Sequence, residues 1–212
     1  FLFMLGGAFG YRVPPDGWQP EGWSPPLKKK SLITVHHVHV RDAYKTTSFW
    51  LIWLVLMLNV SAGIGVIGIA SPMLQEIFGG ALIGKPDLTF AQVQADPAFK
   101  ASAAGIAAGF VGLLSLFNIG GRIFWASLSD HIGRKMTYAI FFLLGIALYA
   151  AAPSAAREGS IALFVLCFCI ILSMYGGGFA TVPAYLADIF GTIYVGAIHG
   201  LLLTAWSTAG IV

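Results

Sequence analysis

The stretch NIGGRIFWASLSDHIGRK, residues 118–135, joins two kinds of sequence that together decide the fold. Residues 101–121 are uncharged and mostly small or apolar, whereas the second half of the stretch, SLSDHIGRK, is polar and basic. An apolar segment of about 20 residues can cross a bilayer as a helix, and basic residues after it mark the membrane face. The stretch therefore predicts a transmembrane helix followed by a turn. One charged residue, Arg122, directly follows the apolar part.

The rest of the 212-residue chain has the same apolar character. Hydrophobic residues make up 58% of it and charged residues only 10%, against about 25% charged in an average soluble domain. Apolar runs of membrane-spanning length recur at residues 49–72, 102–125, 136–152, 161–183 and 196–212. The predicted fold class is all-α, a polytopic helical membrane protein. Because an apolar run also occupies each end, we expect a fragment that is cut inside a helix at both ends.

The apolar runs divide the chain into three parts. Residues 1–10 form the end of a transmembrane helix, residues 11–48 a cytoplasmic loop, and residues 49–212 a truncated helical bundle of five spans. Basic residues concentrate in the segments before the first span and after the second, which the positive-inside rule assigns to the cytoplasm. They are Arg12, Lys28, Lys29, Lys30, Arg41, Lys45, Arg134 and Lys135, against Lys85, Lys100 and Arg157 in the other loops. This bias accounts for most of the net charge of +3, so no nucleic-acid partner is implied.

The loop of residues 11–48 carries the only histidine cluster, HHVHV. His36, His37 and His39 lie on an extended segment and give no closed ligand set, and no nearby cysteine or carboxylate clearly completes one. We expect neither a metal nor a cofactor. In the fourth span, Gly176, Gly177 and Gly178 fit a hinge or a close helix crossing rather than a phosphate loop.

Arg122 is the first candidate for a ligand-binding residue. It precedes Asp130 by eight residues, so it lies about 12 Å along the helix from the loop. One interpretation is an arginine that snorkels to the cytoplasmic interface. The other is an anion site, because a charge within a span is costly and usually faces a bundle interior or a cavity. Ser115 and Asn118 would share its helix face, none of the five spans contains Asp or Glu, and an arginine fork suits a carboxylate.

The loop after Arg122 is the most specific motif. A short turn needs a polar residue to cap the next helix, a glycine and basic residues, which Asp130, Gly133, Arg134 and Lys135 supply. With Leu128 they resemble the loop signature of the major facilitator superfamily, G-x-L-x-D-x-x-G-R-K, although Ala126 replaces its first glycine. The resemblance implies a partial major facilitator fold, its C-terminal half, in which this loop latches the two halves during alternating access.

Longer segments are similar to one branch, the oxalate/formate antiporter family. They are GYRVPPDGWQPEGW, WLVLMLNVSAGIGVIGIASPMLQEIF, the stretch quoted above, MYGGGFATVPAYLADIFG and VGAIHGLLLTAW. This resemblance implies that the chain runs from the end of the sixth transmembrane helix, through the central cytoplasmic loop, to part of the eleventh.

The same resemblance implies a binding site. Arg122 matches a substrate-binding arginine of the eighth helix, and Tyr175 and Phe179 match aromatic cage positions on the tenth. A substrate-binding lysine of the eleventh helix has no counterpart, since that span offers only Trp206 and His199, seven residues apart and so expected on one face. The expected substrate-binding residues are therefore Arg122, Asn118, Tyr175, Phe179, Trp206 and His199. One fixed cation suits a monocarboxylate such as formate better than a dianion such as oxalate.

These features predict a secondary transporter of small organic anions that works by exchange through alternating access. Its partners would be the anion, the N-terminal half of the same transporter and the lipid bilayer. We expect a multi-pass protein of the cell membrane, in a bacterium the inner membrane. Proton-linked or facilitated monocarboxylate uptake is an alternative, as is a non-transporting membrane sensor on the same scaffold. An enzyme is not expected, because no nucleophile, acid–base pair or metal set is present.

Overall fold

The computed structural model describes residues 2–10, 15, 18–19, 21–22, 34 and 36–211. Several predicted cytoplasmic basic residues lie outside that part: Arg12, Lys28, Lys29 and Lys30. The chain divides into two compact units, Phe1–Leu32 and Ile33–Val212. In the first, the helix α1 spans Leu2–Gly10.

The second unit contains all the other regular elements of the described residues, and each of them is helical. They are α2 (Val40–Ala43), α3 (Thr47–Phe78), a 3-10 helix (Gly79–Ile83), α4 (Phe90–Ala95), α5 (Pro97–Ile132), α6 (Arg134–Arg157), α7 (Ile161–Phe190), α8 (Val195–Leu202) and α9 (Thr204–Ala209). Four helical stretches, Thr47–Ile83, Pro97–Ile132, Arg134–Arg157 and Ile161–Phe190, are long and apolar enough to cross a membrane. The predicted polytopic all-α class is confirmed.

The fifth apolar run differs from the other four. Its helical part, Val195–Ala209, is shorter, and a turn at Leu203 divides it into α8 and α9. The Thr204 hydroxyl donates to the Leu201 carbonyl three residues earlier, a local bond that competes with the regular helical ladder and bends helices. The even spacing that would place His199 and Trp206 on one face is therefore interrupted.

Two helices continue beyond the prolines at which their apolar runs end. Pro72 lies inside α3, and Pro183 lies inside α7, which extends to Phe190. A proline removes one helical hydrogen bond, but transmembrane helices tolerate it where neighbours satisfy the freed groups. The extension brings Asp188 onto the end of α7.

Helix α7 forms the centre of the bundle. In its most apolar window 61% of the residues are buried, against 33% or less in the other three spans. Three glycines allow the neighbours to approach: a Cβ on Gly176 would collide with Asn118 of α5, one on Gly177 with Trp125 of α5, and one on Gly178 with Asn59 of α3. Of the two interpretations of this triplet, the close helix crossing is confirmed.

Candidate functional site

Three predicted cavity residues, Tyr175, Phe179 and Trp206, form one continuous aromatic row. Tyr175 and Phe179 lie one turn apart on α7 with ring centroids 5.3 Å apart, and Phe179 contacts Trp206 of α9 at 5.2 Å. Both pairs meet edge to face, a favourable arrangement for aromatic rings. Because Tyr175 is buried and Trp206 is 47% exposed, the row runs from the interior of the bundle to its surface.

Arg122 is exposed on α5, at the level where this helix crosses α7 next to Tyr175. Its neighbour Gly121 is packed directly against the backbone of Ser173 on α7, so the two helices pass closely at this level. No carboxylate oxygen of the described residues lies within 4.0 Å of the guanidinium. Arg122, which has no carboxylate partner among the described residues, thus lies at the same level of the bundle as the buried end of the aromatic row.

The other polar residues of the predicted stripe on α5 have different surroundings. Asn118 is half-buried against Gly176, and its Oδ1 atom is buried with no hydrogen-bond partner in the described part of the chain. The Ser115 hydroxyl is exposed and donates to the Val111 carbonyl of its own helix. Asn118 therefore keeps an unused acceptor one turn from Arg122, whereas the hydroxyl of Ser115 already has a partner.

His199 lies apart from the aromatic row. It is half-buried on α8, its buried Nε2 atom has no hydrogen-bond partner among the described residues, and its ring makes no aromatic contact with any of them. The turn at Leu203 lies between it and Trp206. The structure thus brings the three aromatic rings together, but it does not place the His199 ring against them.

Asn59 of α3 is a polar residue that the sequence analysis did not select. It is only 7% exposed, its Nδ2 atom has no partner among the described residues, and it packs against Gly178. With Gly63, on which the Tyr175 ring lies, it lines an apolar cavity of about 270 Å³ between α3, α6 and α7. No cationic side chain lines that cavity, so it is a poor site for an anion. The feature that could have identified Asn59 from the sequence is its amide side chain, which lies inside an otherwise apolar run.

A second polar cluster surrounds Arg134 at the start of α6. Its guanidinium forms ion pairs with Asp130 of α5 and with Asp188 of α7, the latter with Nε and Oδ2 3.3 Å apart, and it donates to the Ser129 hydroxyl. The side chains of Arg134 and Asp188 are only 10% and 12% exposed. Asp188 was missed because it follows Pro183, where the apolar run ends. The cluster joins α5, α6 and α7 at one end of the bundle.

The predicted capping role of Asp130 is wrong. Asp130 lies inside α5, and the residue that precedes α6 is Gly133, with φ of 88° and no side-chain capping bond. A single residue connects the two helices, so no position is left for a polar cap, and Asp130 pairs with Arg134 instead. Gly133 has the left-handed backbone angle that its residue type predicted. Lys135 is exposed and lines a separate cavity with Tyr138 and Tyr185.

The histidine cluster packs against the bundle. The Nδ1 atom of His39 accepts from the Arg41 backbone N–H and so caps α2, and its ring contacts Tyr194 with centroids 4.8 Å apart. The Val38 backbone N–H donates to the Phe190 carbonyl at the end of α7. Within the described residues, no three His, Cys, Asp or Glu side chains are grouped as metal ligands.

Comparison with known proteins gives two findings. The family model of the Major Facilitator Superfamily matches residues 1–212. The chain is also similar to the oxalate:formate antiporter of Oxalobacter formigenes, with 28% identity over 184 residues. That alignment covers 87% of this chain but 38% of the antiporter, so the chain spans well under half of that relative's length.

Proposed function

The chain belongs to the Major Facilitator Superfamily, as its loop signature predicted, and we propose that it forms part of a secondary transporter of small organic anions. Members of this superfamily are transporters rather than enzymes, and this one is a multi-pass membrane protein. The proposed substrates are carboxylates such as formate or oxalate, moved by exchange as two six-helix halves alternate in access. The name of the similar antiporter supports this substrate class.

One observation carries the proposal: Arg122 lies where α5 crosses α7 next to Tyr175, and its guanidinium has no carboxylate partner among the described residues. A charged residue within a span usually faces a bundle interior or a water-filled cavity, where it can bind a substrate ion. The fork of an arginine can hold both oxygens of one carboxylate. Tyr175, Phe179 and Trp206 would then form a wall of the cavity, and Asn118 would lie one turn from the bound anion.

The charge of the site favours a monoanion. In α8 and α9 the only ionisable side chain is His199, so the described part of this region supplies no second permanent cation. A dianion held by one arginine would keep a net negative charge in a medium of low dielectric constant, which is unfavourable. Formate is therefore the preferred member of the proposed substrate class.

The remaining parts of the proposal concern assembly and location. Residues 1–10 would end one transmembrane helix, residues 11–48 would be the central cytoplasmic loop, and residues 49–212 would belong to the C-terminal half. The cluster of Asp130, Gly133, Arg134 and Lys135 would lie at the cytoplasmic face, and its contacts would change as the two halves alternate in access. The protein would work with its N-terminal half in a cell membrane, and a bacterial relative is consistent with a bacterial inner membrane.

Transport by the full-length protein in liposomes tests the proposal. Uptake of labelled formate, oxalate and lactate is measured with and without an internal counter-anion. We expect uptake that internal anion accelerates, and a loss of about 100-fold in Arg122→Gln, the size expected when one partner of a hydrogen-bonded charge pair with the bound anion is removed. The matched control is Arg157→Gln, because Arg157 lies at the far end of α6 and donates to Ser154. Uptake by Arg122→Gln equal to that of the wild type would exclude the anion site.

Proton-linked uptake of a monocarboxylate is the second candidate. The observation that favours it is the buried Nε2 atom of His199, which has no partner among the described residues and belongs to a side chain that commonly carries protons. In liposomes without internal anion, an inward proton gradient would then accelerate uptake, and His199→Gln would abolish that acceleration. Binding of a carboxylate without any transport would instead indicate a sensor.

A further inference from the structure

The turn between α8 and α9 lies next to Trp206, the outer member of the aromatic row. The Trp206 backbone N–H donates to the Leu203 carbonyl at 3.0 Å, three residues back rather than four. Short turns of this 3-10 type inside a helix often mark a hinge. Helix α9 spans only Thr204–Ala209 and has no side-chain cap. Its orientation therefore depends on contacts with other helices.

One hydrogen-bonded chain crosses this turn. The Trp53 Nε1–H of α3 donates to the Thr204 Oγ1 atom at 2.9 Å, and the Thr204 hydroxyl donates to the Leu201 carbonyl of α8, also at 2.9 Å. Thr204 uses its hydroxyl both as an acceptor and as a donor, so it links three helices at once. The rotation of α9 that presents Thr204 to Trp53 is thereby favoured.

We propose that Trp53 and Thr204 are positioning residues that hold Trp206 against Phe179. Trp206 follows Thr204 by two residues on the same short helix, so a rotation of α9 that breaks the bond to Trp53 also moves the Trp206 ring. The row Tyr175–Phe179–Trp206 is complete only when α9 is bound to α3. This inference rests on the proposed function, because it makes the Trp53–Thr204 bond a determinant of the shape of the anion cavity.

The first test follows the position of Trp206 without any substrate. The full-length protein is labelled with 5-fluorotryptophan, and the Trp206 signal in the 19F NMR spectrum is assigned by its loss in Trp206→Phe. We expect Trp53→Phe and Thr204→Val each to shift or broaden that signal. The controls are Trp50→Phe, which removes an indole adjacent to Trp53, and Thr208→Val, since Thr208 is equally near Trp206 but bonds only to the Thr204 carbonyl. An unchanged Trp206 signal in both test variants, or equal shifts in the controls, would overturn the inference.

The second test measures transport by the same variants. We expect Trp53→Phe and Thr204→Val to raise KM for labelled formate about threefold, the size of an interhelical hydrogen bond in a membrane protein, with little change in maximal rate. The double variant should equal Thr204→Val alone, because Trp53→Phe has no bond left to remove once the Thr204 hydroxyl is gone. Additive effects would contradict the proposal. A shifted Trp206 signal in a protein that transports no carboxylate would refute the proposed function but leave the positioning role. Normal KM values in a protein whose transport depends on Arg122 would refute only the positioning role.

Discussion

Arg122 and Arg134 lie twelve residues apart in the sequence, but they differ in burial and in their ion-pair partners. Arg134 is nearly buried, and its guanidinium is shared among Ser129, Asp130 and Asp188. Arg122 is exposed on α5 and has no carboxylate partner in the described part of the chain. Each has a helix α7 neighbour, but only the end of α7 near Arg134 carries an acid. The comparison teaches that partners, not residue type, decide which arginine joins helices and which remains available to a ligand.

The largest expected difference in stability is between neutral replacements of these two arginines. Arg134→Gln leaves the Asp188 carboxylate without its cation, which should lower the free energy of unfolding by about 4 kcal/mol, as when one partner of a buried ion pair is removed. Arg122→Gln should change it by no more than about 0.5 kcal/mol, typical of a surface substitution. Denaturant unfolding in detergent measures both. A comparable loss in the two variants would show that Arg122 has a structural partner.

A smaller difference is expected between the two acids that bind Arg134. Asp188 is 12% exposed and Asp130 is 61% exposed. Asp188→Asn should lower the free energy of unfolding by about 2 kcal/mol, the contribution of a hydrogen bond to a charged group. Asp130→Asn should lower it by less than about 1 kcal/mol, because solvent screens the exposed pair. The same unfolding experiment applies. The reverse order would mean that the bond to Asp130 holds the cluster together.

The smallest effect is expected at the ion pair between Lys45 and Asp42, which lies before α3. The hydrogen bond and the charge of Asp42 raise the pKa of the Lys45 ammonium above its ordinary value. A raised pKa in the folded state stabilises the protein below the ordinary lysine pKa, and that stabilisation is lost as the pH rises through the raised value. Because Lys45 is fully exposed to solvent, Asp42→Asn should leave the unfolding midpoint unchanged at neutral pH. NMR titration should show a lower Lys45 pKa in that variant and an unchanged one in the control Asp87→Asn.

Much of the fold could be predicted because it depends on local sequence. Apolar runs of sufficient length identified the four long helices, and the glycine of the loop predicted a short turn, which the structure reduces to the single residue Gly133. The predicted capping role of Asp130 was wrong because the local sequence is compatible with two structures. Aspartate is a residue type that commonly caps helices, but α5 continues through Ile132 and therefore contains Asp130. Within the helix, Asp130 pairs with Arg134, four positions later.

The candidate site was only partly predictable. Arg122, Tyr175, Phe179 and Trp206 were selected from their types and from resemblance, and the structure brings the three rings into contact. Asn59, Asp188, Trp53 and Thr204 were not selected, because each gains its role from a residue on another helix. Trp53 and Thr204 are 151 positions apart in sequence, and no periodicity relates them.

Composition and spacing alone are enough to establish that this chain crosses a membrane several times, since the length of an apolar run is a property of consecutive residues. They are also enough to identify Arg122 as a charged residue within an apolar run. The order in which helices pack decides the rest: that Arg134 pairs with Asp188, and that three aromatic rings from α7 and α9 form one row. These features depend on distances between residues far apart in the chain, and such distances are set only when α3, α5 and α9 pack around α7.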